Sequence, residues 1–275
     1  MSCLYVVGTP IGNLDDLSPR AVETLRSVDF IAAEDTRVTL KLLNRFNIKK
    51  PMLSYYEHNK RERGEIICSR IENGETCAIV TDAGMPCISD PGEELVKQCG
   101  ERNIPVVAVP GPSAVISALA ISGLSTGRFT FEGFLSMNKK SRREHLSSLV
   151  NEQRTMIFYE APHKAAATLA DMAEFFGNGR KISIVRELTK IHEQVIRTTL
   201  GQAAEDYADG GLKGELVFVI EGAEKPQVTE YTLEDAAEIA RGFMQNGMSC
   251  SESAKQAAAA TGLKKADIYK LLQNN

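Results

Sequence analysis

Short, uninterrupted apolar runs recur along this chain, at residues 4–7, 30–33, 77–81, 106–109, 156–159, 182–185 and 216–220, and they constrain the fold more than any other feature. A strand with one wet face alternates apolar and polar side chains. Runs without that alternation suit strands covered on both faces, as in α/β proteins. Helix starts lie between the runs. Ser18-Pro19 offers a capping hydroxyl followed by proline at the first helical position, and Asp90-Pro91-Gly92-Glu93 places an acid three residues after a capping carboxylate.

The chain has 275 residues, 43% hydrophobic and 25% charged, enough for two modest cores. We expect an N-terminal α/β domain over 1–113, a second α/β domain over 114–224 and a small helical tail over 228–275. Residues 113–124 are almost wholly apolar or small, which predicts a helix buried nearly all round and placed between the two domains. A break at 122–127 precedes the second sheet-forming half, and the linker Glu224-Lys225-Pro226-Gln227 sets off the tail. There Ala258 and Gly262 stand four apart, between a helix of small residues over 253–260 and a helix opening at Lys264-Lys265 and running through Ile268, Tyr269 and Leu272. That spacing fits a helix-turn-helix and equally a hairpin closed by a glycine.

Several function classes recede. No apolar stretch is long enough to span a membrane, and the amino terminus lacks the basic flank of a signal peptide, so a cytoplasmic protein is expected. The six cysteines include no C-x-x-C pair, and no histidine stands at ligand spacing, so neither a zinc site nor a redox motif is indicated. A net charge of -4 argues against a protein that coats nucleic acid; any RNA contact must come from local basic patches. The run Lys139-Lys140-Ser141-Arg142-Arg143 is one candidate patch, a solvated helix face the other reading of it.

Candidate chemistry gathers where apolar runs end. Gly8-Thr9-Pro10-Ile11-Gly12-Asn13-Leu14 follows the first run, Thr81 to Gly92 follows the third, and Val109-Pro110-Gly111-Pro112-Ser113-Ala114 follows the fourth. Ligands of α/β proteins sit beyond the carboxyl ends of strands, and glycine there permits close backbone approach. The first loop is not a G-x-G-x-x-G fingerprint, which disfavours a dinucleotide site. Three such loops are expected to converge on one cleft. Polar clusters flank them: Glu34-Asp35-Thr36-Arg37, Tyr159-Glu160-Ala161-Pro162-His163-Lys164, and Arg186 through Glu193. Functional groups and structural ion pairs both fit such strand-end charges.

In this order, these segments resemble the RNA-methylating members of the tetrapyrrole methylase superfamily. The resemblance covers residues 1–225, and the tail also resembles that of the family. It implies two α/β domains with S-adenosyl-L-methionine in the cleft between them, a homodimer, and no metal. The implied reaction is 2′-O-methylation of a cytidine in the decoding region of 16S ribosomal RNA, with that RNA or the small ribosomal subunit as partner and neither membrane nor DNA. Cofactor contacts are then expected at Pro10, Asp82, Ala83, Gly84, Cys87, Ser113, Ala114 and Leu188. Met85 departs from the pattern, since the RNA enzymes commonly have threonine there, so a polar contact by that side chain is lost.

Methyl transfer to a ribose oxygen needs alignment and a group to take the hydroxyl proton. Glu34, Asp35, Glu187 and Lys190 are the candidates, with His192 beside them. Two rival readings are a tetrapyrrole C-methyltransferase, which a Gly-Gly-Asp-Pro loop would favour where Asp82-Ala83-Gly84-Met85-Pro86 stands, and a non-enzymatic RNA-binding assembly factor.

Overall fold

A computed structural model describes residues 2–224 and 231–273. One compact unit spans Met1–Ala223 and a second Glu224–Asn275. Residues 225–227 of the expected linker and 228–230 of the expected tail lie outside the described residues.

The larger unit begins with a five-stranded parallel sheet. Its strands are β1 (Leu4–Val7), β2 (Phe30–Ala33), β3 (Met52–Ser54), β4 (Cys77–Val80) and β5 (Val106–Val109), in the spatial order β3-β2-β4-β1-β5. Helices α1 (Pro19–Ser27), α2 (Thr36–Arg45), α3 (Lys60–Glu72) and α4 (Gly92–Glu101) connect them. Both faces are covered, which is why the strand runs lack polar alternation. Leu4 and Val6 point into a core with Ile67, Cys68 and Ile71 of α3 and Leu95 and Cys99 of α4. Val7 points the other way, toward Ala21 and Leu25 of α1 and Leu42 and Leu43 of α2.

Helix α5 (Ala114–Ser122) leads to a second five-stranded sheet of β6 (Phe129–Phe134), β7 (Thr155–Glu160), β8 (Lys181–Arg186), β9 (Gln194–Thr199) and β10 (Leu216–Ile220), ordered β6-β7-β10-β8-β9. Only β6 and β7 pair in parallel; the other neighbours are antiparallel. One face, with Met156, Phe158, Ile182, Ile184 and Phe218, packs against residues of α6 (Lys139–Ser148), α7 (Pro162–Phe176) and α8 (Leu200–Asp206). The opposite face, with Ile157, Val185, Val217 and Val219, receives α5.

Two local expectations need correction. Helix α5 is not buried all round: Val115, Ala118 and Leu119 face the second sheet, whereas Ile116 is 53% exposed. Ser18 caps α1 as expected, accepting from the Ala21 amide at 3.1 Å, but the cap position of α4 is Pro91. Asp90 instead accepts the amides of Cys87 and Gly92, at 2.7 and 2.9 Å, and so fixes the approach to that helix.

The tail carries three helices, α9 (Leu233–Gln245), α10 (Cys250–Thr261) and α11 (Lys265–Gln273), around a small-residue core of Ala236, Ala240, Ala254, Ala257 and Ile268. Gly262 ends α10 in the left-handed region at φ +73°, its amide bonding the Ala258 carbonyl, which accounts for the four-residue spacing between them.

Candidate active site

The loop after β1 stitches the larger unit together. Gly8 lies against Gly111 so closely that a Cβ on it would stand 2.6 Å from the Gly111 Cα, so neither loop tolerates a side chain there. Thr9 and Gly84 exchange backbone hydrogen bonds of 2.9 and 3.1 Å, and the Thr9 hydroxyl donates to the Thr81 carbonyl. The ends of β1, β4 and β5 therefore meet as expected, but the glycines at 8 and 111 serve the chain's own backbone. Ile11 then enters the core of the second sheet beside Leu188. Gly12 abuts Leu188, Thr189 and Lys190, and the Asn13 amide donates to the Thr189 hydroxyl at 3.1 Å.

Backbone strain collects at two of these loops. Among the described residues, non-glycine side chains adopt left-handed φ at Asn47, Cys87, Ser89, Asn103, Glu187 and Thr189. Asparagine visits that region readily; the other four are costly and persist because their surroundings over-determine them. Cys87 and Ser89 flank the bend after β4. Glu187 and Thr189 bracket Leu188 and turn it into the core, 7% exposed.

Two cavities share the Asp82-Ala83 turn. The larger, about 360 Å³, is lined by Ile11, Ala83, Ala114, Tyr159, Glu160, Pro162, Glu215 and their neighbours. Glu160 is buried and fully engaged, accepting from Thr168 Oγ1 at 2.5 Å and facing Lys164 Nζ at 3.1 Å. Burial pushes the Tyr159 phenol up from its ordinary value. The second cavity, about 290 Å³, is lined by Thr9, Pro10, Thr39, Lys41, Thr81 and Asp82. Glu34 accepts from Thr81 Oγ1 at 2.5 Å, and the Asp35 amide donates to Asp82 Oδ1 at 3.1 Å.

These carboxyl groups differ in proton affinity. Asp35 caps α2 and is clasped by the Arg37 guanidinium at 2.6 and 3.0 Å, which lowers it to about 2. Asp82 moves the other way: burial first, then the charge of Glu34, raises it. Glu187 is lowered by the Glu215 amide and by Lys190. Burial opposes the charge on Lys190, yet Glu187 at 3.0 Å and Glu215 at 3.2 Å outweigh it and raise the ammonium.

A model of the tetrapyrrole (corrin/porphyrin) methylases matches residues 3–204. A protein of Synechocystis sp. named ribosomal RNA small subunit methyltransferase I is 47% identical over 271 residues, covering 98% of this chain and 97% of that one. This chain belongs to the ribosomal RNA small subunit methyltransferase I family. A Thermotoga maritima relative of the same name, 46% identical, aligns over its whole length with 82% of this chain. The fold is also that of uroporphyrin-III C-methyltransferase from Thermus thermophilus complexed with S-adenyl homocysteine, at TM-score 0.57 and 15% identity over 80% of this chain and 97% of that one.

The sites expected from this family's pattern are distributed as follows. Ala83 and Ala114 line the larger cavity, and Pro10 and Asp82 the smaller. Ser113 heads α5 without capping it, leaving its hydroxyl out of the helix. Cys87 packs into the first core, and its thiol is pushed up to about 12 by burial. Met85, where threonine is common, also packs against that core, its sulfur beside Gly8. Among the described residues no helix is long and apolar enough to cross a membrane.

The basic run at 139–143 divides: Lys139 and Lys140 stay exposed, whereas the two arginines are paired. Arg142 is buried and grips Asp171 Oδ2 through Nε and a terminal nitrogen, both at 2.7 Å; Arg143 bonds Asp171 and Glu174 and lies over Phe175. The sequence could not show α7 carrying these partners. Arg142→Ala should therefore lower unfolding stability by about 3 kcal/mol, the low end for opening a buried pair because Arg143 still faces Asp171. A denaturant midpoint that does not move would return Arg142 to the surface.

Proposed function

We propose that this chain transfers a methyl group from S-adenosyl-L-methionine to the 2′-hydroxyl of a cytidine in 16S ribosomal RNA, on the small ribosomal subunit, as a cytoplasmic homodimer. The observation that carries it is the Asp82-Ala83 turn, which lines one cavity through Ala83 and the other through Asp82 and so sets a donor site beside an acceptor site. The names of the relatives supply the substrate class.

The larger cavity fits the cofactor. Its volume falls in the range of roughly 300–1,000 Å³ usual for small-molecule sites, its walls at 83 and 114 are alanines, and α5 opens at the uncapped Ser113 hydroxyl. Ala83, Gly84, Ser113, Ala114 and Leu188 would hold it, with Pro10, Asp82 and Cys87 shaping the loops around them. When bound, S-adenosyl-L-methionine supplies an activated methyl group on a sulfonium. The chain's own work is to place and deprotonate the acceptor. Asp82 Oδ takes the hydroxyl proton, because burial and the charge of Glu34 make it a stronger base than an ordinary aspartate. Glu34 holds the Thr81 hydroxyl and so fixes the turn. Asp35, lowered to about 2 by Arg37, is too weak a base and positions Asp82 through its amide. In this reading Lys190, kept charged by Glu187 and Glu215, serves as a cation for the substrate rather than as the proton acceptor.

The test is to incubate small subunits lacking the modification with labelled cofactor and map the labelled nucleotide; label on another base, or none, sinks the reading. The domain division at 113 and 224 adds a prediction. Truncation after Glu224 should leave cofactor affinity within about twofold by calorimetry, since every cavity-lining residue precedes it, and should chiefly raise KM for subunits.

A further inference from the structure

Helix α2 starts at the site, with Asp35 as its cap, and carries Arg37, Lys41 and Arg45 at four-residue spacing. Residues four apart share a helix face and advance about 6 Å along the axis, so three cations form one stripe leading away from Asp82. Arg37 is spent on Asp35. Lys41 is exposed, lines the acceptor cavity and has no partner among the described residues. Arg45 is 61% exposed, with only a 3.9 Å approach to Asp15.

Beyond that cavity the stripe enters an open groove of about 630 Å³, lined by Gly12, Asn13, Asp15, Arg45, Lys190, Ile191 and His192. Arg45, Lys190 and His192 line it together with Asp15, and Lys190 is shared with Glu187 and Glu215. Ile191 stands on its wall, 97% exposed. A single exposed isoleucine is ordinary on a mobile loop, but this turn is tied down. The Glu193 carboxylate accepts the Thr189 amide at 2.6 Å, the Lys190 amide bonds the Glu187 carbonyl, and Glu187 and Thr189 are held at positive φ. A rigid apolar knob beside cations matches a nucleic-acid strand, whose bases take apolar contact while its phosphates take charge.

Resting on the function proposed above, we infer that this groove seats the single-stranded RNA flanking the methylated nucleotide, with Lys41 and Arg45 on its phosphates and Ile191 packed against a base. The test uses the full chain, labelled cofactor and small subunits lacking the modification, comparing wild type with Lys41→Ala/Arg45→Ala and with Ile191→Ser. Cofactor affinity by calorimetry should match wild type in both, since none of the three residues lines the cofactor cavity. The double variant should raise KM at least tenfold and reduce the log KM against log salt slope by about 1.4 to 1.8, two contacts of roughly 0.7 to 0.9 each. Ile191→Ser should raise KM about fivefold to a hundredfold, with the slope unchanged. An active wild type with both variants indifferent overturns the groove alone. A wild type inactive on subunits overturns the function proposed above and the groove with it. A change in sedimenting mass for Ile191→Ser overturns the RNA assignment and gives the knob to a contact between copies.

Discussion

Gly84→Val should weaken S-adenosyl-L-methionine binding by roughly a hundredfold or more and leave the circular dichroism of the protein unchanged. The reason is conformation more than space. A Cβ at 84 would meet only Ile11 Cγ2 at 3.4 Å and the Pro112 carbonyl at 3.7 Å, ordinary contacts that a small shift absorbs. The backbone, however, sits at φ +87°, where a β-branched residue is a genuine outlier. Strain of this kind costs about 1–3 kcal/mol, which alone corresponds to roughly fivefold to 150-fold in affinity. The loop can relieve it only by rotating, and rotation breaks the paired bonds between Thr9 and Gly84 that hold Ala83 at the cavity wall. Gly84→Ala should fall between the two. Calorimetry returning wild-type affinity for the valine variant would remove this loop from the cofactor site.

Gly84 was visible in the sequence; its positive φ was not. The interior strands were legible because burial on both faces writes itself as an unbroken apolar run. Strands β3, β6 and β9 were not: each is a partly covered edge strand that mixes polar with apolar residues, so Met52-Leu53-Ser54 or Gln194-Val195-Ile196-Arg197 reads as connection, whereas the edge strand β5 is apolar throughout and was legible. Residues 113–124 misled in the opposite sense: their composition speaks of burial all round, yet Ile116 and Ala120 stay exposed. Composition reports what a segment can bury, not what comes to cover it.

The site divides along the same line. Loops at the ends of β1, β4 and β5 could be placed from turn residues alone, because chain topology decides which strand ends are neighbours. The basic run at 139–143 could not be judged without Asp171, some 30 positions on, which takes Arg142 and Arg143 out of the candidate patch and leaves Lys139 and Lys140 exposed. The stripe of Arg37, Lys41 and Arg45 was open to simple counting at four-residue spacing; alternation with Val38, Leu40 and Leu42 obscured it. Which carboxylate takes a proton was beyond sequence, since neighbours and burial set it. Arg37 lowers Asp35, while burial and Glu34 raise Asp82.

Those opposed shifts give the prediction that most directly tests the chemistry. Asp82→Asn keeps the shape of the side chain and an oxygen for the Asp35 amide, yet removes the proposed proton acceptor. It should lower kcat and kcat/KM for subunits together, by roughly a hundredfold to ten-thousandfold, because the lost interaction is made as the ribose hydroxyl gives up its proton. Cofactor affinity should change little, since Ala83 and Gly84 keep their backbone. Wild-type kcat should fall on the acid side as Asp82 protonates, at a higher pH than an ordinary aspartate because its affinity for the proton is raised. Asp35 behaves in the reverse sense. Its lowered value stabilises the folded protein above the usual carboxylate range, and that contribution disappears as pH falls toward about 2, so Asp35→Asn should lower stability near neutrality, match wild type near pH 2, and reduce kcat far less than Asp82→Asn. Rapid-quench measurement of a single turnover separates the two. If Asp82→Asn transfers the methyl group at the wild-type rate while Glu34→Gln does not, the proton goes to Glu34, and the Asp82-Ala83 turn is left with the task of holding the cofactor.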